Sequence, residues 1–178
     1  QLSNNFPLDF DIRGEIFMPH SQFQRINLER ETIGEQLFAN PRNTASGTLK
    51  MQDSKLVAER GLDSYLYGIY STEPIDQGHY ESVMRAASWG FKTPNPSKRF
   101  IEKTKDLAGI MDFIRYWDQE RSNLPFDIDG IVIKVNNYQQ QKSMGFTAKS
   151  PRWATSFKFK AKRVETALIT VSYQVGRT

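Results

Sequence analysis

The stretch FDIDGIVIKV, residues 126–135, decides the fold class and raises a question about one charged residue. The run from Ile131 to Val135 is rich in β-branched residues, which is typical of a strand with apolar contacts on both faces. Lys134 interrupts this run, and lysine is almost never buried without a partner. We therefore expect the side chain either to reach water or to meet a negative group.

The composition is that of an ordinary globular protein with a basic surface. The chain has 178 residues, enough for about one domain. No apolar run approaches the length of a membrane span, and the start does not read as a signal peptide. The absence of cysteine excludes disulfides and thiolate metal sites within the chain and fits a cytoplasmic location. The net charge of +4 favours a polyanionic partner, although a solvated charged face explains it equally well.

The hydrophobic periodicity outward from this stretch predicts a mixture of strands and helices. Strands are predicted over 9–17, 62–71, 152–161 and 165–178, and helices after Pro19, near the end of 38–53, over 77–89 and from Leu107 to Trp117. In the strand over 152–161, one face is predicted to carry Trp153, Thr155, Phe157 and Phe159. The order has no regular βαβ rhythm, so we expect an α+β fold with mainly antiparallel sheets flanked by helices.

Three of the predicted strands carry charged groups where strands usually carry apolar ones. These are Glu15, then Asp129 with Lys134, and Lys158. If the strands line one cleft, its lysines suit phosphate, and its carboxylates suit ribose hydroxyls or a hydrated magnesium ion. Tyr67, on the aromatic strand, has a face on which a base can stack.

Two plainer interpretations remain open for the same residues. A pairing such as Glu15 with Lys134 would make the charges an internal ion pair, which is common in proteins. Tyr67 would then be a packed core residue.

Five segments, in order along nearly the whole chain, resemble the bacterial NAD-dependent DNA ligases. They are DIRGEIFMP (11–19), FANPRNTASGTLK (38–50), YLYGIY (65–70), LPFDIDGIVIKVN (124–136) and SPRWATSFKFKAKR (150–163). The resemblance is to the larger, C-terminal part of the adenylation (nucleotidyltransferase) domain. It implies a partial adenylation domain over 1–162, truncated at its N-terminus, with 163–178 as a linker and the first strand of a following OB-fold domain.

The resemblance also implies an activity, namely the sealing of nicks in duplex DNA through a lysyl-AMP intermediate, as in DNA replication and repair. A lysine attacks the α-phosphate of NAD, AMP passes to the 5′-phosphate of the nick, and the 3′-hydroxyl then displaces AMP. The implied cofactors are NAD and Mg²⁺, with zinc expected only in a C-terminal region outside this chain. The implied partners are nicked duplex DNA and other domains of the same ligase.

The resemblance also implies a role for each residue that matches a functional position of the family. Glu15 matches the glutamate that holds the AMP ribose, Tyr67 the aromatic that stacks on adenine, and Lys134 a lysine that contacts the adenylate. Asp129 matches a supporting acidic residue, and Lys158 matches the lysine that contacts the α-phosphate.

Three basic residues match positions expected near DNA. Arg42 and Arg121 match arginines near nicked DNA and the active site, and Lys50 stands where the family often has an arginine, which weakens the expectation of a bidentate phosphate contact there. The nucleophile of the family lies in a Lys-x-Asp-Gly motif. The one Asp-Gly here, Asp129-Gly130, has Asp127 in the place of the lysine. We therefore expect the attacking lysine to precede Gln1 and the chain alone to be inactive.

Two other functions fit the sequence less well. An ATP-dependent ligase or RNA-capping nucleotidyltransferase shares the same lysine chemistry, but FANPRNTASG argues against it. A basic module that binds nucleic acid without catalysis is the third possibility, and it predicts that loss of Lys134 or Lys158 only weakens DNA binding.

Overall fold

The described residues of this computed structural model are 7–72, 75–160, 165–174 and 176. Their helices and strands are, in order, β1 (Asp11–Phe17), α1 (His20–Thr32), α2 (Pro41–Leu49), α3 (Ser54–Glu59), β2 (Asp63–Tyr70), α4 (His79–Ser88), α5 (Leu107–Glu120), β3 (Gly130–Lys134), α6 (Tyr138–Met144) and β4 (Ala154–Lys158). Strands and helices alternate irregularly and both strand pairs are antiparallel, so the α+β prediction is confirmed. No helix in the described part of the chain is long and apolar enough to span a membrane.

The first sheet pairs β1 with β2 and contains an irregularity that sets the position of Tyr67. Arg13 pairs with Gly68 and the next residue, Gly14, pairs with Leu66. Tyr67 is therefore an extra residue on β2 with no partner on β1, which is the arrangement of a β-bulge. A side chain at position 14 would not fit, because its Cβ would lie 2.7 Å from the backbone carbonyl oxygen of Tyr65.

The second sheet pairs β3 with β4, from Gly130 opposite Lys158 to Lys134 opposite Ala154. The ladder extends past the first residue of β3 and the last residue of β4, since the Phe159 amide donates to the Asp129 carbonyl at 2.9 Å. Position 130 requires glycine because an added Cβ would lie 2.2 Å from the Phe157 carbonyl oxygen. The Asp-Gly pair therefore allows β4 to approach the start of β3 closely.

The hydrophobic core holds these sheets through separate clusters. Helix α4 packs its Ala86 and Trp89 against Ile69 of β2, with Phe10 and Ile12 completing the contact. Met18, Ile26 and Ala45 form a second buried cluster beside helices α1 and α2. A third group is aromatic and places Phe126, just before β3, against Phe17 and Tyr65 of the first sheet. This last contact brings β3 towards the first sheet.

One prediction from the sequence stays untested, and two need correction. The described residues 165–174 and 176 pair with no described strand of this chain, and a first strand of a following domain there stays a prediction. The β3 run is not covered on both faces, since Val132 is 64% exposed. The alternation predicted over 152–161 holds only partly: Trp153 and Phe159 are buried, whereas Phe157 is 39% exposed. A two-stranded ladder has too few neighbours to cover both of its faces.

Candidate functional site

Three side chains from different elements meet at the end of β3. The Lys134 ammonium lies 4.8 Å from the centre of the Tyr67 ring, a cation–π distance. The same nitrogen lies 3.1 Å from His79 Nε2. Tyr67 comes from the bulge in β2 and His79 is the first residue of α4. The structure thus brings together two of the predicted site residues and adds a histidine.

Burial changes the acid–base behaviour of the pair. Removal from water lowers the pKa of Lys134 from 10.5 to about 8. It also lowers the pKa of His79 from 6.5 to about 4, with the Lys134 charge as the second cause and a hydrogen bond to the Tyr67 backbone opposing both. At neutral pH the imidazole is therefore uncharged, while the ammonium keeps most of its charge.

The segment after β3 holds the start of α4 in place. The backbone carbonyl of Asn136 accepts from the His79 amide at 2.8 Å, and its side-chain oxygen accepts from the Tyr80 amide at 2.7 Å. Its side-chain nitrogen donates to Glu81 at 2.8 Å. Asn136 thus satisfies two free N–H groups at a helix N-terminus from outside the helix, which fixes His79 relative to β3.

One face of the β3–β4 ladder carries both predicted lysines. Because side chains alternate along a strand, Gly130, Val132 and Lys134 share a face with Ser156 and Lys158 of β4. The two lysines stand at opposite ends of that face, four residues apart along the ladder, or roughly 13 Å. Between them Val132 and Ser156 are exposed. We call this surface the open face.

The ion pair considered as the plainer interpretation is not formed. Among the described residues, no carboxylate lies within ion-pair distance of Lys134 or Lys158. Glu15 is exposed on β1, where it pairs in register with Tyr65. No hydrogen bond or ion pair within the described chain joins Glu15 or Lys158 to Lys134. Their convergence on one ligand therefore stays a prediction.

Asp129 and Arg42 are brought close to each other at the start of β3. The Asp129 carboxylate lies 3.5 Å from the Arg42 guanidinium, and the two side chains are 71% and 84% exposed. Such an exposed pair contributes little to stability and leaves both groups available to a ligand. Arg42 is near the start of α2, whose N-cap Asn40 accepts from the Asn43 amide, and Lys50 is the exposed C-cap of the same helix.

Arg121 occupies a different environment. Its guanidinium lies 4.6 Å from the Phe159 ring centre, donates to the Lys160 carbonyl at 3.0 Å and is 18% exposed. These contacts tie the end of α5 to the end of β4. A DNA contact by Arg121 stays a prediction, and such a contact would require the side chain to leave these partners.

Sequence analysis did not identify the contact between His79 and Lys134. The two residues are 55 positions apart, and no local pattern reports such a contact. The other histidine of the chain is His20, and its Nε2 lies 2.9 Å from Asp127 Oδ1. No group of three or more His, Cys, Asp or Glu side chains in the described residues is arranged to hold a metal ion.

Comparison with known proteins gives a consistent family. Residues 1–162 match the NAD-dependent DNA ligase adenylation domain. The DNA ligases of Parabacteroides distasonis and Bacteroides fragilis are 53% and 54% identical to the chain over 98% of its length, and that of Christiangramia forsetii is 47% identical over all of it. The chain spans 26% of the length of each. The chain therefore belongs to the NAD-dependent DNA ligase adenylation-domain family.

Proposed function

We propose that this chain is the AMP-binding part of the adenylation domain in an NAD-dependent DNA ligase that seals nicks in duplex DNA through a lysyl-AMP intermediate. Family membership supports the activity. The open face supports the assignment to AMP binding, because it presents two lysines, on either side of an exposed Val132, that have no carboxylate partner among the described residues. A nucleotide would cover that apolar surface and supply the missing negative charge.

Each predicted residue has a role that its placement allows. The adenine of NAD stacks on Tyr67, which is 37% exposed and so keeps part of its surface open to a base. Lys134 and Lys158 contact the adenylate, with Lys158 at the α-phosphate, and each provides the compact charge that suits a phosphate oxygen. Glu15 accepts hydrogen bonds from the ribose hydroxyls, and Asp129 is the supporting acidic group.

The nucleophile of the reaction is not among these residues. A lysine attacks the α-phosphate of NAD, and nicotinamide mononucleotide leaves. Because Asp127 stands where the Asp129-Gly130 pair would require the lysine, the isolated chain does not form lysyl-AMP. Mg²⁺, when bound, neutralises charge that develops on the phosphates, and it would be held mainly by the phosphates of NAD, as is common for this ion.

We further propose that Arg42, Lys50 and Arg121 act near DNA and that residues 163–178 begin a following domain. The high exposure of Arg42 and Lys50 supports the first statement, since phosphate contacts need accessible cations. The family match ends at residue 162, which supports the second.

The test uses Lys134→Met in a ligase that contains this chain. Because the substitution removes the charge at the open face, we expect formation of lysyl-AMP from NAD to fall on the order of 100-fold or more, the scale for losing one preorganised electrostatic contact. DNA binding should stay within about threefold, as expected for a site that is not a phosphate contact on DNA. Lys142→Met is the matched control, because Lys142 is an exposed lysine on α6 outside the open face.

The same assay separates the alternatives. Adenylation with NAD but not ATP favours the proposed donor, and the reverse would reject it. If Lys134→Met seals nicks as well as the unaltered enzyme and only binds DNA more weakly, the site is a binding surface without catalysis and the proposal fails.

A further inference from the structure

His79 occupies a position that the proposed function does not explain. It is the first residue of α4, and its ring reaches away from that helix to the Lys134 ammonium at 3.1 Å. The Tyr138 ring packs edge-on against it at 6.5 Å between ring centres. Its backbone amide is held by Asn136, directly after β3. Both the backbone and the ring of His79 are therefore tied to the strand that carries Lys134.

The chemistry of the contact fixes which atom donates. An ammonium has three donors and no acceptor, so Lys134 donates and His79 Nε2 must accept. Nε2 can accept only if it carries no proton, which places the imidazole proton on Nδ1. A neutral acceptor is unusual here, because a carboxylate would be the ordinary partner of a partly buried lysine. A carboxylate would neutralise the ammonium, whereas an imidazole orients it and leaves its positive charge for a ligand.

Two titratable groups near the pair, Glu81 and Tyr138, keep a constant charge between pH 6 and 9. Glu81, on α4, is bound by Lys103 and Asn136, and these hydrogen bonds lower its pKa to about 2. Burial raises the pKa of Tyr138 above its ordinary value, so this group stays neutral. Tyr67 presents its ring face to Lys134 rather than a charge. Lys134 is thus the group in this cluster that changes charge near pH 8.

We infer that His79 is a positioning residue for the adenylation reaction: its neutral imidazole accepts a hydrogen bond from Lys134 and holds the ammonium against Tyr67, ready for the anionic adenylate. The inference rests on the proposed function for the identity of the ligand. It adds that the adenine-stacking ring and the cation are assembled before the nucleotide arrives, which reduces the ordering that binding would otherwise require.

The first test needs no substitution. In the 178-residue chain labelled with ¹⁵N at histidine, we expect Nε2 of His79 at pH 7 to show the shift and coupling of an unprotonated, hydrogen-bonded nitrogen. A protonated Nε2 would overturn the inference, because it cannot accept from Lys134.

The second test compares His79→Gln with His79→Leu. Glutamine keeps an acceptor at a similar reach, and leucine removes it. Loss of a hydrogen bond to a charged group is expected to lower the Lys134 pKa by about one unit in the leucine variant, measured from the ¹³C shift of its ε-carbon. The glutamine variant should stay close to the unaltered chain.

The kinetic consequence is read in a ligase that contains the chain. The fall of kcat/KM for self-adenylation at high pH reports loss of the Lys134 charge, so it should move about one pH unit lower in His79→Leu and return in His79→Gln. If His79 had only a structural role, its replacement would lower the amount of folded enzyme and leave the pH at which kcat/KM falls unchanged. The inference would be overturned if the high-pH fall of kcat/KM and the Lys134 pKa were the same in the unaltered enzyme, His79→Leu and His79→Gln.

The outcomes distinguish failure of the proposed function from failure of the positioning role of His79. If Lys134→Met leaves adenylation intact, the proposed function fails whatever His79 does. If Lys134→Met abolishes adenylation but the leucine and glutamine variants of His79 behave alike, the function stands and the positioning role fails.

Discussion

The cluster around Lys134 and the surface around Arg42 and Lys50 present positive charge in opposite ways. Lys134 is partly buried, hydrogen-bonded to His79 and placed against Tyr67. The Arg42 and Lys50 side chains are exposed, and the ion pair that Arg42 makes with Asp129 in the described residues is loose. A cation fixed in a partly dry site suits chemistry on one ligand, because its direction is set in advance. Exposed cations suit a phosphate backbone, which binds in many registers.

The largest effect that would sharpen this comparison comes from two tyrosines on one strand. Tyr67 and Tyr70 are 37% and 38% exposed, and each ring faces a cation, Lys134 and Arg13 respectively. We expect Tyr67→Ala to weaken AMP binding by roughly 5- to 150-fold, the value of one base stacked on an aromatic ring. Tyr70→Ala should change it by less than about twofold, since surface substitutions away from a site have small effects. Calorimetric titration measures both, and equal losses would show that position 67 has no special role.

A second prediction concerns the link between α4 and β3. Asn136→Ala removes the acceptor for the Tyr80 amide and the donor to Glu81, so the free energy of unfolding should fall by about 1–2 kcal/mol. Asn123→Ala is the matched control, because the Asn123 side chain donates a solvent-exposed hydrogen bond to Glu120. Urea denaturation of both variants decides the matter. A loss no larger than that of the control would mean that Asn136 does not hold the two elements together.

A third prediction follows from the lowered pKa of Lys134. In the proposed function the charged form of Lys134 binds the phosphate of AMP, and this form is lost as pH rises through about 8. Affinity for AMP should therefore be nearly constant from pH 6.5 to 7.5 and fall by up to about tenfold per unit above pH 8. Isothermal titration across this range, with Lys134→Met as the variant that should show no such fall, provides the check. If AMP affinity in the unaltered protein did not change with pH, Lys134 would not differ from the exposed cations in its charge behaviour.

The smallest effect is expected at the exposed surface. Arg42→Ala should weaken binding to nicked DNA only a few-fold at moderate salt and reduce the slope of log affinity against log salt by about one. Lys105→Ala, an exposed substitution outside this surface, should leave the slope unchanged. Fluorescence anisotropy at several salt concentrations measures the slope. A sequence-dependent loss would indicate base contacts instead of phosphate contacts.

The sequence predicted the strands better than it predicted their surroundings. The β-branched run at 130–134 and the charged alternation at 11–17 report local backbone preference, and both strands form. The exposure of Val132 could not be predicted, because coverage of a face depends on which distant elements pack there. The described residues 165–174 and 176 form no strand in this chain for a similar reason, since a strand exists only with a partner.

The candidate site shows the same division. The types of residue at positions 67, 134 and 158 predict a nucleotide site without any structure, because lysines are uncommon in apolar strands and an aromatic ring can stack on a base. The role of His79 depends on a contact across 55 residues that one asparagine maintains, and the internal contacts of Arg121 depend on the approach of β4. Such contacts are properties of packing and leave no local pattern.

The bulge at Tyr67 has a consequence for engineering. Because this residue has no cross-strand partner on β1, its ring can be exchanged without altering the register of the ladder, which Gly14 and Leu66 define on one side and Arg13 and Gly68 on the other. If adenine stacks on Tyr67 as proposed, position 67 is a natural starting point for a ligase that accepts an enlarged purine in place of adenine. Such an enzyme would use a synthetic dinucleotide that the native enzymes of a cell ignore.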